Sequence, residues 1–379
     1  MLLIKNGHIV PMSAHYIEGG DVLIDNGVIV DVAQNIDYTP KRTDDVIDAT
    51  DCFVFPGFID SHCQVGVVAD GIGDLFMSAN PITPNLSVIN SVKYDDPVFY
   101  ECLKAGITSV VVAPFARNIV GGKCALIKTA QVQSTFQGKT DYSHIVSDFC
   151  AMKFSLSDDT HNQESNLALR ASMLKSDIQA AKSYLRKREK DSIAFFDSPT
   201  LEAYGPILGR ELPAYFYVNT VEELRMALRI TKQFNFMATI IGCGDCEELD
   251  EKLLAEIQEY SDCIVLGPCI TRTSKGFEFA KQLSDTNMIF ALSTAYPQTN
   301  IQYLPMVAGL SVRDGVKLEN AFAAITINAA RACKAFEKIG SIEVGKHADI
   351  AIFDANPLEV FTKTLYTIVN GRIAYRIEE

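Results

Sequence analysis

The residues most ready for chemistry are thiols. Cys243-Gly244-Asp245-Cys246 is a Cys-x-x-Cys that ends an apolar, strand-like run and opens a helical pattern. A helix N-terminus lowers a thiol pKa, and two thiols at this spacing can form a redox pair or hold a soft metal. Cys63 and Cys269 follow two other apolar runs, so four thiols could share one face. Against this, no second Cys-x-x-Cys accompanies the first, and cysteine is also a small residue that is commonly buried and inert. Packing is the preferred reading. A second cluster is Asp158-Asp159-Thr160-His161. Its carboxylates and imidazole could ligate a metal, but Asp and Thr ahead of a helical stretch also serve as helix caps, and capping is preferred.

Composition narrows the classes. The chain has 379 residues, 48% hydrophobic and 21% charged, which is ordinary for a folded globular protein of two domains or of one large α/β domain with an appendage. Lys+Arg 34 against Asp+Glu 47 leaves a net charge of -13. Such a surface repels phosphate backbones and anionic lipid, so neither nucleic acid nor a membrane is expected as a partner. No apolar run reaches the roughly 18 residues of a membrane helix. Met1-Leu2-Leu3-Ile4 is broken at once by Lys5-Asn6-Gly7, unlike a signal peptide. Ten cysteines in such a chain point to free thiols in a reducing, cytoplasmic compartment.

The elements that must position any site fall into two groups. Residues 1–50 read as β, with Asn26-Gly27 suited to a two-residue hairpin, and residues 340–379 read the same way, with Asn370-Gly371 as a second hairpin turn. Neither end has enough apolar surface to fold alone, so the two are expected to form one small composite β-sandwich domain. Residues 51–339 alternate. Apolar runs at Phe53–Ile59, Ile107–Ala113, Cys124–Thr129, Ile145–Phe154, Ala214–Val218, Phe236–Ile241, Cys263–Leu266 and Met288–Leu292 predict strands. Helical spacing follows Asp96-Pro97 and spans Val221–Phe234 and Cys246–Tyr260. The stretch from Asn162 to Asp191 reads as a solvated helix. Eight strands separated by helices over this length predict an α/β fold, a (β/α)8 TIM-type barrel; the open doubly wound alternative lacks a Gly-x-Gly-x-x-Gly turn.

Several segments carry a family likeness. Val54-Phe55-Pro56-Gly57-Phe58-Ile59-Asp60-Ser61-His62 resembles the first barrel strand of the amidohydrolase superfamily. Asn80-Pro81-Ile82-Thr83-Pro84, Ala105-Gly106-Ile107-Thr108-Ser109-Val110, Gly121-Gly122 and Ile127-Lys128-Thr129-Ala130 are similar to the branch related to imidazolonepropionases. So is the tail from Gly340 to Ile350, with Asn370-Gly371-Arg372. The resemblance covers nearly the whole chain. It implies a hydrolase of C–N bonds that holds one or two divalent metals at the carboxyl ends of the barrel strands. Its ligands would be a His-x-His pair after strand one, a strand-four lysine and histidines after strands five and six, with an Asp after strand eight as base.

This chain departs from that pattern. His62 stands at the first ligand position, but the second is Gln64. Lys153 is placed like the strand-four lysine, with Lys128 as the alternative. Tyr217 and Asn219 follow strand five, Ile241 takes the strand-six histidine position, and Ala295, within Ser293-Thr294-Ala295-Tyr296, takes the Asp position. Isoleucine and alanine can neither ligate a metal nor accept a proton. The six histidines agree: His8, His15 and His347 belong to the small domain, and His144 precedes its strand, leaving only His62 and His161 for the barrel mouth. The expectation is a largely lost metal site with no cofactor; a single zinc ion is the alternative. Mouth candidates are His62, Gln64, Lys153, Tyr217, Asn219, Thr294 and Tyr296, and the remaining metal candidates are His62, Lys153, His161, Cys243 and Cys246. Three functions stay open: a non-catalytic binding or assembly protein, a C–N hydrolase with a mononuclear or metal-free site, and a thiol-based redox or metal protein. A small-molecule ligand at the mouth and further copies of the chain are the expected partners.

Overall fold

The computed structural model describes residues 1–67, 80–130, 144–157, 166–190, 197–246, 249–270 and 275–378. Two sheets organise them. The first is built from β1 (Leu2–Ile9), β2 (Ile17–Asp25), β3 (Val28–Ala33), β4 (Asp45–Asp48) and β5 (Phe53–Pro56). The second takes β6 (Phe58–Cys63), β7 (Ile107–Val112), β8 (Val120–Lys128), β9 (Ile145–Ser155), β10 (Ala214–Val218), β11 (Ala238–Gly242), β12 (Ser261–Leu266) and β13 (Phe290–Leu292) in sequence order. The chain then returns to the first sheet with β14 (Ile350–Phe353), β15 (Thr364–Val369) and β16 (Arg372–Arg376). Gly57 marks the passage from one sheet to the other: a Cβ there would strike Thr108, so only glycine lets the chain through.

The second sheet corrects the expected (β/α)8 barrel. Strands β6 and β7 are parallel, as are β9 to β13, but β8 is antiparallel to both its neighbours. Only residues 113–119 separate β7 from β8, too few for the dozen or so that a parallel crossover needs, so the chain has to turn back. The result is a mixed eight-stranded sheet, nearly closed. Its edge strands β6 and β13 share no ladder. Side chains and a helix end bridge them instead: Ser293 Oγ donates to Asp60 at 2.7 Å, and Ile59 N donates to Ile325 O at 2.8 Å.

Period two sorts the barrel residues. Ile59, Val111, Leu126, Ala151, Tyr215, Tyr217, Ile241, Val265 and Ala291 form an inner cluster. The floor is closed by the helix Ile327–Ala332, whose Ala329, Ala330 and Ala332 are small enough to sit against them. Met152, Phe154, Phe216, Ile240 and Leu292 face outward onto helices such as Val221–Phe234. That helix starts on a capping box, Thr220 with Glu223, and stops at Asn235 in the left-handed region. The helix Leu167–Lys190 occupies most of the stretch expected to be helical there.

The expected β-sandwich is also corrected. Both chain ends do contribute, but to one sheet, ordered β16-β15-β14-β5-β1-β2-β3 with β4 on β1. It rolls up: Ile29 N donates to Lys346 O, Gly345 N to Ile29 O and Ala348 N to Gly27 O, all within 2.9 Å, tying β3 to the segment leading into β14. A rolled sheet encloses its own core of Ile4, Val22, Ile24, Val54, Ile350 and Ile368, so no second layer is needed. On the opposite face Phe55 and Phe353 pack onto the barrel through Phe58 and Phe322. Among the described residues, no helix is long and apolar enough to cross a membrane.

Candidate functional site

Alternation along β9 aims Lys153 into the barrel, in register with Tyr215 of β10 and Gly122 of β8. Its side chain is fully buried. There Nζ meets Nε2 of His62, from β6, in a short hydrogen bond. The same Nζ lies 4.9 Å from the centre of the Tyr217 ring, a cation–π distance, and the Tyr217 ring stacks on His62 with centroids 6.2 Å apart. Burial, and then the Lys153 charge, hold the His62 imidazole well below its usual pKa. His62 is therefore neutral near pH 7, and its Nε2 lone pair accepts the lysine proton donor.

Asp60, two residues before His62, is the functional residue missed in the sequence. It is fully buried and accepts from Ser293 Oγ at 2.7 Å, Thr294 Oγ1 at 2.6 Å, Thr294 N at 3.0 Å and His62 N at 3.1 Å. Burial pushes its carboxyl pKa up, and these four donors oppose the push. Ser293 Oγ also reaches the His62 carbonyl at 2.5 Å. Asp60 thus holds β6 against β13 and fixes His62 in place. An acid directly after the apolar run Phe53–Ile59 was the available signal, because a buried carboxylate needs several donors.

The other candidates surround this core. Gln64 is buried and its backbone N donates to Tyr296 O at 2.9 Å. Asn219 lies half-buried at the end of β10 and donates from Nδ2 to Ser157 Oγ at 3.1 Å. Thr294 is committed to Asp60. Tyr296 is half-buried, and burial raises its phenol pKa. Ile241 and Ala295 are buried and apolar. His161, with Asp158, Asp159 and Thr160, lies outside the described residues.

Lys128 is elsewhere. Because β8 runs backwards, its end lies at the opposite face, where Lys128 Nζ forms a short ion pair with Asp349 of the rolled sheet. His144 is beside it, its carbonyl accepting from Lys128 N at 2.7 Å and its ring edge-on to Tyr94. Lys153, not Lys128, is the lysine at the mouth.

The thiols do not form an activated pair. Helix Glu251–Tyr260 starts five residues beyond Cys246, not at it, and Asp250 caps it. Cys243 is buried, and its hydrogen bond with Cys246 and then burial hold its pKa well above normal. Burial pushes Cys269 up to about 12, and Cys63 well above its usual value. Cys63, Cys243 and Cys269 therefore stay protonated within the outer core.

A two-metal centre does not fit these residues. Its second-histidine, strand-six and strand-eight positions hold Gln64, Ile241 and Ala295, and the carboxylate nearest His62, Asp60, is taken up by four donors. Among the described residues, no three His, Cys, Asp or Glu side chains converge in a way that could hold a metal ion. Two close divalent ions need several imidazole or anionic ligands to replace their hydration.

Comparisons with known proteins agree on kinship. A family model described as "Amidohydrolase family" matches residues 215–375. The imidazolonepropionase of Picrophilus torridus is 23% identical over 99% of this chain and 96% of its own length. That of Fusobacterium nucleatum is 26% identical, but the match spans 42% of this chain and 46% of that protein. The solved structure of an amidohydrolase from Thermotoga maritima superposes with a TM-score of 0.87 at 25% identity, covering all of both chains.

Proposed function

Since the chain belongs to the amidohydrolase superfamily, in its imidazolonepropionase-related branch, we propose that it keeps the barrel of these proteins without their hydrolytic metal chemistry and serves as a binding or assembly protein. One observation carries the reading: the Lys153 Nζ sits on His62 Nε2, the nitrogen a metal would need, and is packed against the face of Tyr217. An ammonium group supplied by the chain stands as the fixed cation at the mouth. It can offer a hydrogen bond and a charge to a bound group, but it has no exchangeable water to activate. The strand-eight base is Ala295, so a water at the mouth also lacks its usual proton acceptor. A small ligand at the mouth would meet the amides of Gln64 and Asn219 and the Tyr296 phenol.

The second reading, a C–N hydrolase with a mononuclear or metal-free site, is favoured by the relatives, which are named imidazolonepropionases. Elemental analysis and turnover separate the two. Protein expressed with zinc and manganese and then dialysed is expected to keep no stoichiometric metal and to cleave no dipeptide, hydantoin or lactam. One retained equivalent with turnover establishes the second reading, and two equivalents would show that other side chains of the protein supply the ligands.

A further inference from the structure

We propose that the cavity between the closed end of the barrel and the rolled sheet is a binding site for a small organic anion, an oxyanion head of carboxylate or phosphate on an apolar body. The cavity measures about 910 Å³, within the range of small-molecule sites. Lys128, His144, His347 and Arg372 line it. Lys128 and His144 are buried, His347 is half-buried and Arg372 is exposed. Ile24, Leu103 and Val369 supply apolar walls. The frame is tight. The hairpin turns Asn26-Gly27 and Asn370-Gly371 both line the cavity and abut: a Cβ on Gly27 would lie 3.0 Å from Asn370 O, and one on Gly371 2.9 Å from Gly27 Cα.

Charge points to an anion. The chain carries a net charge of -13. Among the described residues lining this cavity, Lys128, Arg372 and two imidazoles stand against one acid, Asp45. Asp349, the partner of Lys128, does not line the cavity, and its other oxygen accepts from Asn370 N at 3.0 Å. The cavity therefore meets the ammonium group and not the carboxylate behind it. A concave region of reversed sign on an acidic chain concentrates anions.

The buried groups need an explanation that stability does not supply. Apolar residues of similar volume commonly serve as well as a buried ion pair, so Lys128 at a cavity wall is better explained by a ligand that uses its charge. His347 carries a related mark. Its Nδ1 is buried without a hydrogen-bond partner, and burial and then the Lys128 charge hold the imidazole below its usual pKa. A bound oxyanion offsets that repulsion, and the ring becomes a second donor beside the ammonium group.

Isothermal titration calorimetry of the full chain with benzoate and with phenyl phosphate tests the site. At least one probe is expected to bind once per chain with a Kd below about 1 mM, and the tighter of the two identifies the head group. Arg372→Gln should weaken that binding about 10-fold, since a guanidinium matches an oxyanion and an amide does not. Lys128→Met/Asp349→Leu removes both charges of the pair together and should weaken it at least about 30-fold. Circular dichroism checks that each variant is folded, and the exposed Arg372 position carries the test if the double variant is not. No saturable binding of either probe up to about 10 mM overturns the proposal. So does binding that a folded variant leaves at wild-type strength, or binding that Asn219→Ala, at the opposite end of the barrel, abolishes.

Discussion

Lys128 and Lys153 are both fully buried and stand on neighbouring antiparallel strands, yet they meet opposite surroundings. Lys128 reaches across to Asp349, which also accepts from Asn370 N at 3.0 Å, and so stitches the barrel to the rolled sheet. Burial pulls the Lys128 pKa down, while Asp349 pulls it back up. Lys153 is set on a neutral imidazole and an aromatic face. One lysine is half of a charge pair that joins two sheets. The other is a cation set on His62 at the barrel mouth. The two strands carry them to opposite ends only because β8 runs against its neighbours.

Breaking the charge pair should give the largest effect. Asp349→Ala leaves the Lys128 ammonium buried without its carboxylate, and the expected loss is about 3–5 kcal/mol in urea unfolding. Lys128→Met should cost a similar amount, because it strands the carboxylate. The double variant Lys128→Met/Asp349→Leu should recover most of the loss, since neither charge then needs a partner. If the two single losses simply add in the double variant, the pair is not the unit described.

Lys153→Met should cost less, about 1–2 kcal/mol, if the bond to His62, an uncharged imidazole nitrogen that would be left short of one donor, is what the lysine chiefly holds. Equal losses for Lys153→Met and Lys128→Met would erase the contrast. A smaller loss for Lys153→Met, together with weaker binding of any mouth ligand, would sharpen it.

Much of this contrast is legible in the sequence, and the illegible part has a physical cause. The runs at Ile107–Ala113, Ile145–Phe154, Ala214–Val218 and Cys263–Leu266 form β7, β9, β10 and β12, because apolar runs between turn residues mark strands whatever their partners. Strand direction leaves no trace in such a pattern. It shows only in the short link 113–119, whose length forbids a parallel crossover. For the same reason Lys128 and Lys153 read as rival candidates for one position. The run Phe53–Ile59 splits at Gly57 into β5 and β6, since periodicity cannot tell a bend between sheets from a continuous strand. Lys128 and Asp349 are 221 residues apart, so nothing local announces their pairing. At the mouth, the resemblance points to His62, Lys153 and Tyr217, whereas Asp60 reads in the sequence as one more polar residue.

The pH dependence of stability probes the Lys153 side of the comparison. His62 is held below its usual pKa, so the unfolded chain binds a proton that the folded chain refuses. Stability from this group is therefore present above the unfolded pKa, about 6.5, and is lost as pH falls towards the folded value. Between about pH 7.5 and 5.5 the wild type should lose about 1.4 kcal/mol more than His62→Asn, which cannot titrate. His347 is lowered too, by burial and then by Lys128, but it titrates in both proteins and cancels in the difference. Parallel stability curves for the two proteins would mean that His62 is protonated or exposed in solution.

The smallest expected effect is no effect on metal binding, and it bears on whether the mouth is one residue away from the superfamily's chemistry. Ala295 stands at the strand-eight base position in the left-handed region, φ 48°, where Asp and Asn are better tolerated than Ala. The backbone should therefore accept Ala295→Asp, with the strain it relieves offsetting part of the cost of a buried carboxylate. Ala295 N is already bonded to Ser293 Oγ at 2.9 Å, so the turn is held independently of the side chain. An added carboxylate still faces Gln64 and Ile241 at two other ligand positions, with Lys153 on the one imidazole at the mouth that the described residues supply. A divalent ion would have to displace an ammonium group and, among the described residues, would gain only His62 and the new Asp. Ala295→Asp, expressed with zinc and dialysed, should hold no more metal than the wild type and should turn over no amide. Stoichiometric zinc in this variant would mean that Lys153 swings away from His62 at little cost, and the fixed cation at the mouth would then be a resting arrangement rather than a replacement for the metal.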